Sequence, residues 1–297
     1  LCESLPGRIS KIKSMSPREK IAPLSLSPLA KPAINSPAGQ WQVGFVFSNG
    51  KIHYNNPPEL PMDRQRREFA VKPDKKGQFS AGGIQVSKST DSHWSFESGL
   101  QWVSFKNESL HKPLLEYRKP HGHHNDDDYE DFTYVVHAPS GTVNVGMRIN
   151  QKDTTQNLPQ NTPIDLVVKA LESEQRVRLP IAVSYRHILW GPVGLFIRPG
   201  LNFDYRVSRS FKIDDIKSLN TPFEPAGRES VMVSYTKTPR LSLGFQGSLG
   251  FSFQIGRKYS VELAGLLSGD LIQPSSDANA ASTSYNSGLL LGISYRF

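Results

Sequence analysis

Residues 282 to 297 read STSYNSGLLLGISYRF, and their side chains alternate in kind. Odd positions carry Tyr285, Leu289, Leu291, Ile293, Tyr295 and Phe297. Even positions carry Ser284, Asn286, Gly288, Gly292, Ser294 and Arg296, with Leu290 the exception. A period of two marks a β-strand with one bulky apolar face and one small, polar or charged face.

The same alternation returns seven times. Directly upstream, Tyr259, Val261, Leu263, Leu267 and Leu271 oppose Ser260, Glu262, Ser268 and Asp270. The tight turn Gly256-Arg257-Lys258 joins that strand to 240–255, where Leu241, Leu243, Phe245, Leu249, Phe251, Phe253 and Ile255 face away from serines, glycines and glutamines. Residues 192–207 set Val193, Leu195, Ile197, Leu201, Phe203 and Tyr205 against Gly194, Arg198, Gly200, Asn202, Asp204 and Arg206. Residues 174–187 set Val177, Leu179, Ile181, Val183 and Tyr185 against Arg176, Arg178, Ala182, Ser184 and Arg186. A third strand, 93–106, carries Trp94, Phe96, Leu100 and Trp102 on one face and follows the short turn Ser89-Thr90-Asp91-Ser92. Before it lie a second strand, 78–88, and a first that begins at Trp41, with Val43, Phe45 and Phe47 opposite Gln42, Gly44, Val46 and Ser48. The fold class is therefore all-β, with eight strands.

Connections are long after strands 1, 3, 5 and 7 and short after strands 2, 4 and 6. Residues 49–77, 208–230 and 273–282 read as polar loops, and 107–173 as the longest loop insertion. Within it, FTYVV and TVNVGMRI alternate; they form either a hairpin above the barrel or part of its wall. Val231 to Tyr235 reads as a strand lead-in stopped by Pro239. Residues 1–40 hold six prolines and more basic than acidic groups, and read as an extended basic linker.

No run of about 18 apolar residues exists, which excludes a membrane-spanning helix. Low mean hydropathy leaves a β-barrel open, because barrel strands show lipid only every second residue. The formal charge of +8 is spread along the chain, so no nucleic-acid partner is indicated. Cys2, the single cysteine, forms no internal disulfide; lipidation there is an alternative to a plain thiol. No secretory signal opens the sequence, so either it has been removed or an upstream part precedes Leu1.

The apolar faces could line the cavity of a soluble lipocalin-type barrel or meet membrane lipid. The other face decides for lipid. It is rich in Gly, Ser and Ala with scattered charges, which suits a crowded lumen rather than a water-covered exterior. Outer-membrane barrels combine short periplasmic turns with long outer loops, so the order of connections sets both termini in the periplasm. Trp41, Trp94, Tyr185, Trp190, Tyr259, Tyr295 and Phe297 then form a periplasmic aromatic girdle. The charges Glu97, Arg176, Arg178, Arg186, Arg198, Asp204, Arg206, Glu262, Asp270 and Arg296 point into a lumen that eight strands make just wide enough for side chains. They are expected to pair there and to close off a wide pore.

Several segments resemble the PorT-like outer-membrane β-barrel family of Bacteroidetes. Leu179-Pro180 in a strand that ends on Tyr185-Arg186, Pro199-Gly200 in the next, and the closing Tyr295-Arg296-Phe297 match that family's pattern. The likeness covers roughly residues 78 to 297 outside the 107–173 insertion. It implies a porin-like outer-membrane barrel and transfers no catalytic residue. In some members of that kind the barrel follows a periplasmic linker, an inner-membrane helix and a cytoplasmic regulatory segment.

His121, His123, His124, Asp126, Asp127 and Asp128 supply imidazoles and carboxylates for a divalent ion, or are simply a solvated loop. A hydrolase needs a nucleophile, a base and an orienting acid within reach; His93 and Glu97 are the nearest candidates, both expected on the inward face. No dinucleotide, P-loop or metalloprotease fingerprint appears, and no cofactor is implied. The reading is a non-enzymatic outer-membrane barrel in contact with lipid, acting through its outer loops or a periplasmic envelope partner. A narrow pore and the barrel of a two-membrane, anti-sigma-like regulator are the alternatives.

Overall fold

The computed structural model of the chain describes residues 39–54, 74–91, 93–117, 129–138, 141–153, 158–159, 161–219, 222–225, 232–235, 240–272 and 284–297. All of them belong to one compact unit, Ile34–Phe297. Their regular structure is strand: β1 (Trp41–Tyr54), β2 (Asp74–Ser89), β3 (Trp94–His111), β4 (Leu114–Glu116), β5 (Tyr129–Ala138), β6 (Gly141–Gln151), β7 (Pro163–Trp190), β8 (Val193–Ser218), β9 (Phe223–Pro225), β10 (Met232–Tyr235), β11 (Leu241–Ile255), β12 (Tyr259–Ile272) and β13 (Ser284–Arg296).

Eight of these strands close into a ring in the order β3, β2, β1, β13, β12, β11, β8, β7, with β7 pairing back onto β3. Every pairing is antiparallel. The closing strand β13 runs from Arg296 opposite Gln42 to Ser284 opposite Tyr54, so the terminal stretch seals the cylinder. Ring closure leaves no free edge in the barrel.

Burial follows the alternation, with the apolar side outward. Phe45, Phe96, Leu249, Phe251, Leu263, Leu291 and Ile293 are exposed, whereas Glu97, Arg178, Arg198, Asp204 and Glu262 are buried. The lumen also holds an apolar cluster that includes Val46, Phe79, Val103, Phe105, Phe196, Leu266 and Leu290. Leu290, the exception to the terminal pattern, is thus an inward-facing side chain that fills a narrow interior.

Two strands are far longer than expected. β7 has 28 residues and β8 has 26, against 14 in β1 and 13 in β13. Residues 163–173 and 208–218, read from the sequence as loop, are strand, and the wall of β2, β3, β7 and β8 rises past the rest of the barrel. Two bulges conceal this in the sequence: the register shifts where Gln175 and Arg176 face Ser208 and Arg206, and again at Lys169 and Ala170. Each extra residue in β8 moves its side chains to the opposite face, which destroys the period of two.

The 107–173 insertion is therefore not one loop. FTYVV and TVNVGMRI form the hairpin β5–β6, and β6 pairs on its other edge with β10 and β9. Residues 232–235 belong to this second sheet, not to the approach to β11. Ile164, Leu166, Val168, Ala170 and Phe211 of the tall wall pack against Val143, Val145, Met147 and Ile149 of the small sheet, with Phe223 and Leu115 completing the core. Two sheets facing each other across such a core make a small sandwich, the head. The wall residues in it share a face with Glu174 and Arg178, so the head sits on the lumen side of the wall.

Candidate functional site

The lumen charges lie on even positions of β7, β8, β12 and β13 and odd positions of β3, and the ring brings them into tiers. Nearest the short turns, Arg198 lies between two carboxylates: Nε is 2.5 Å from Glu97 Oε2 and Nη2 is 2.5 Å from Glu262 Oε2. Arg186 Nη2 donates to the other Glu262 oxygen at 2.7 Å. Glu97 also accepts from the Gln85 amide and from Ser95 Oγ, the latter at 3.4 Å. Two arginines balance two glutamates.

A second tier stands toward the head. Arg178 grips Asp204 with two parallel bonds, Nε to Oδ1 and Nη2 to Oδ2, both 2.8 Å. Arg176 reaches Glu174 at 2.7 Å, Asp270 at 3.1 Å and Asp204 at 3.5 Å, and its guanidinium lies 4.8 Å from the Phe105 ring. Arg206, opposite Arg176 across β7 and β8, is half-buried beside it. Farther up, Asn107 donates to Glu172 at 3.3 Å, Arg209 stands 4.0 Å from the same carboxylate, and fully buried His111 bonds Ser109 Oγ at 2.8 Å. Bidentate and shared pairing offsets the high cost of removing these charges from water.

Glu172 and Arg209 fall in stretches read from the sequence as loop, and Glu174 at the very start of a strand, so none of the three stands among the expected lumen charges. The signal was present in β7, whose even residues run Ile164, Leu166, Val168, Ala170, Glu172, Glu174, Arg176 and Arg178 without a break. Of the other expected lumen groups, Arg296 is near Gln42, whose amide oxygen, suitably turned, accepts from Nε and Nη2 at 3.2 Å. His93 does not face inward with Glu97. It is exposed in the β2–β3 turn, its Nδ1 3.0 Å from the Arg186 carbonyl, so the hydrolase pairing is not assembled. The turn precedes the first paired residue of β3 and so escapes its alternation. The cluster His121, His123, His124, Asp126, Asp127 and Asp128 lies outside the described residues, as do Cys2 and the stretch 1–38.

The expected girdle residues gather at the end bearing the short turns. Trp41, Trp94, Trp190, Tyr259 and Phe297 are exposed there. Trp94 packs on Tyr185 at 4.9 Å, Tyr295 meets Tyr259 at 5.2 Å and Phe297 at 5.6 Å, and Lys258 Nζ donates to the Tyr295 hydroxyl at 3.1 Å. A second aromatic row, not foreseen, stands toward the head: Trp102 and Tyr205 both flank Val177 on the outer face. Trp94 and Trp102 are eight positions apart on β3. That separation is roughly 26 Å along the strand and about 20 Å vertically for a typical tilt, close to the apolar band of an outer-membrane barrel. Outward residues past it are mostly polar: Ser104, Lys106 and Glu108 on β3, Gln175 and Ser173 on β7, with Leu110 and Leu171 the exceptions.

An apolar belt between two aromatic rows, around a charged and filled interior, is an inside-out protein. The fold is an eight-stranded transmembrane β-barrel.

No protein-family model and no curated protein matches the chain. Solved structures similar to it include Neisserial surface protein A (9% identity, 86% of this chain and 97% of that one, TM-score 0.32). Others are the outer membrane protein OprG from Pseudomonas aeruginosa (10%, 88% and 97%, 0.31) and Ail, the attachment invasion locus protein of Yersinia pestis (8%, 88% and 99%, 0.30). At these identities and scores the fold rests on the chain's own pairing and burial.

Proposed function

We propose that this chain is an integral outer-membrane protein whose barrel is a closed anchor and whose work is done by the head it carries outside the cell, in a non-enzymatic binding or structural role. The observation that supports this best is the filled lumen: ion-paired tiers at Arg198 and Arg178 occupy it, and the folded head stands on its side of the wall. Eight strands leave no room for both these side chains and a solute path. The short turns, with Trp41 and Phe297, face the periplasm in this reading, where an envelope protein is the partner class for the segment preceding β1. The Leu179-Pro180, Tyr185-Arg186 and Tyr295-Arg296-Phe297 pattern supports a PorT-like relationship and is its only support.

The test has two parts. Purified full chain in a planar bilayer is expected to show no single-channel steps; steady conductance would overturn the closed anchor. In whole cells producing a Cys2→Ser background, a membrane-impermeant maleimide is expected to label Glu224→Cys in the head and to spare Arg257→Cys in the β11–β12 turn. The reverse pattern overturns the orientation.

A further inference from the structure

A recess of about 860 Å³ opens on the outer wall of the barrel, across β8, β11, β12, β13 and β1. Its floor is made by two outward-facing glycines, Gly247 and Gly265, between the exposed leucines Leu249, Leu267 and Leu289. Glycine weakens a strand by roughly 0.5–1 kcal/mol relative to alanine and usually has a packing reason. Gly44 has one, since a Cβ there would stand 2.7 Å from Ser294 Cβ. Gly247 and Gly265 have none: a Cβ on Gly247 meets nothing within 4 Å, and one on Gly265 meets only the Leu249 carbonyl, at 3.9 Å. The barrel would close equally well with side chains there, and their absence serves to leave a slot in the apolar belt.

The head-side rim of the slot has a different chemistry. Asn49, Lys51, His53 and Ser287 all belong to it. The register runs in one row from Gly247 to Leu267, to Ser287, to Lys51, so the slot leads directly to the ammonium group. His53 is held in place, its Nε2 2.7 Å from Ser287 Oγ and its ring stacked 4.8 Å from Tyr285. No carboxylate lines the recess among the described residues; its other basic residue, Arg198, spends its charge inside the barrel on Glu97 and Glu262. An apolar slot ending at a lysine that no carboxylate opposes among the described residues, at the edge of the hydrocarbon band, has the polarity of a lipid with an anionic head.

We propose that this recess holds an acyl chain of a phosphate-bearing membrane lipid from the head-side leaflet, with the phosphate on Lys51. The inference rests on the membrane reading above. Its test uses the full chain in nanodiscs of phosphatidylcholine doped with phosphatidylglycerol, released into mild detergent and weighed by native mass spectrometry. The wild-type chain is expected to retain one phosphatidylglycerol. Gly265→Leu, and independently Gly247→Leu, fill the slot without a backbone clash and should lower retention at least about tenfold, with sheet circular dichroism and the folded gel shift unchanged. Lys51→Gln should lower it about fivefold and erase the preference over phosphatidylcholine, as expected for one surface lysine. Equal retention by the leucine variants would overturn the proposal. So would a dimer mass that Gly265→Leu abolishes, which would make a second copy the occupant. If the chain enters nanodiscs but carries no lipid, this inference fails and the membrane reading stands; if it does not enter them, the membrane reading itself fails.

Discussion

Arg198→Gln is the sharpest perturbation of the barrel. The guanidinium is 4% exposed, touches Glu97 and Glu262 at 2.5 Å each and lies 4.7 Å from the Phe196 ring. Removing it does not strand both carboxylates equally. Glu262 keeps its ion pair with Arg186 at 2.7 Å, whereas Glu97 directly touches only neutral donors, Gln85 and Ser95 among them, with the Arg186 charge farther off. The loss is therefore that of one buried carboxylate deprived of its cation, about 3–5 kcal/mol, with the ring contact adding under about 1 kcal/mol. Reversible urea unfolding in lipid vesicles, followed by tryptophan fluorescence, should show a midpoint lower by about 1–2 M. Glu97→Gln in the same chain removes the stranded charge, so the double variant should regain more than half of the loss. A single variant within about 1 kcal/mol of wild type would refute the reasoning, as would a double variant whose cost is the sum of the two singles.

Gly44→Val pushes a branched side chain against Ser294 on the neighbouring strand and should destabilise the β1–β13 seam by about 1–3 kcal/mol, or prevent the folded gel shift altogether. Leu166→Ala, at a position 1% exposed in the head core, should cost about 2–5 kcal/mol there. Hydrogen exchange should accelerate in β5 and β6 while protection in β11 to β13 stays unchanged; uniform loss would mean that head and barrel unfold together. Asp91 Oδ1 accepts the Trp94 and His93 amides at 2.7 Å each, and these bonds hold its carboxyl below the usual aspartate value of 3.8. A depressed pKa contributes order above the unfolded value and loses it as pH falls through the folded one. Exchange of the two amides should therefore rise, beyond its intrinsic pH dependence, only below about pH 4, and Asp91→Asn should abolish that extra rise.

How much of this was legible depended on how long the alternation stayed unbroken. The barrel was, because in β11, β12 and β13 a single face keeps one character from end to end, and Arg198, Glu262 and Asp204 could be placed inward from parity alone. The head was not. Phe211 and Ile213 point into its core from odd positions of β8, while Arg198, Asn202 and Asp204 point into the lumen from even ones, so two bulges hid a continuous strand. The parity of β3 fails at His93 for the opposite reason: it does not extend one residue further, into a turn where Asp91 accepts the His93 and Trp94 amides and the imidazole meets the Arg186 carbonyl. The aromatic row at Trp102 and Tyr205 needed the register between β3, β7 and β8, which no single strand encodes.

β7 shows why the soluble reading fails on physical grounds. Its even face is apolar from Ile164 to Ala170, charged from Glu172 to Arg178 and small from Pro180 to Ser184, all of it turned inward. Its odd face does the reverse: from Asp165 to Gln175 it is mixed, with Asp165, Lys169, Ser173 and Gln175 around Val167 and Leu171, and from Val177 through Leu179 and Ile181 to Val183 it is wholly apolar. The apolar side therefore changes faces between Ala170 and Val177 although the inward parity of β7 does not slip from Ile164 to Ser184, since the bulges at Lys169/Ala170 and Gln175/Arg176 add their residue to β8. One strand with one inward face reverses its polarity only if what lies on each side of it has changed. Above the crossover the outside is water and the inside a protein core; below it the outside must be apolar and the inside carries ion pairs. A barrel in water has no such boundary to cross, so the crossover at residues 171–176 marks the height at which the membrane surface meets the wall.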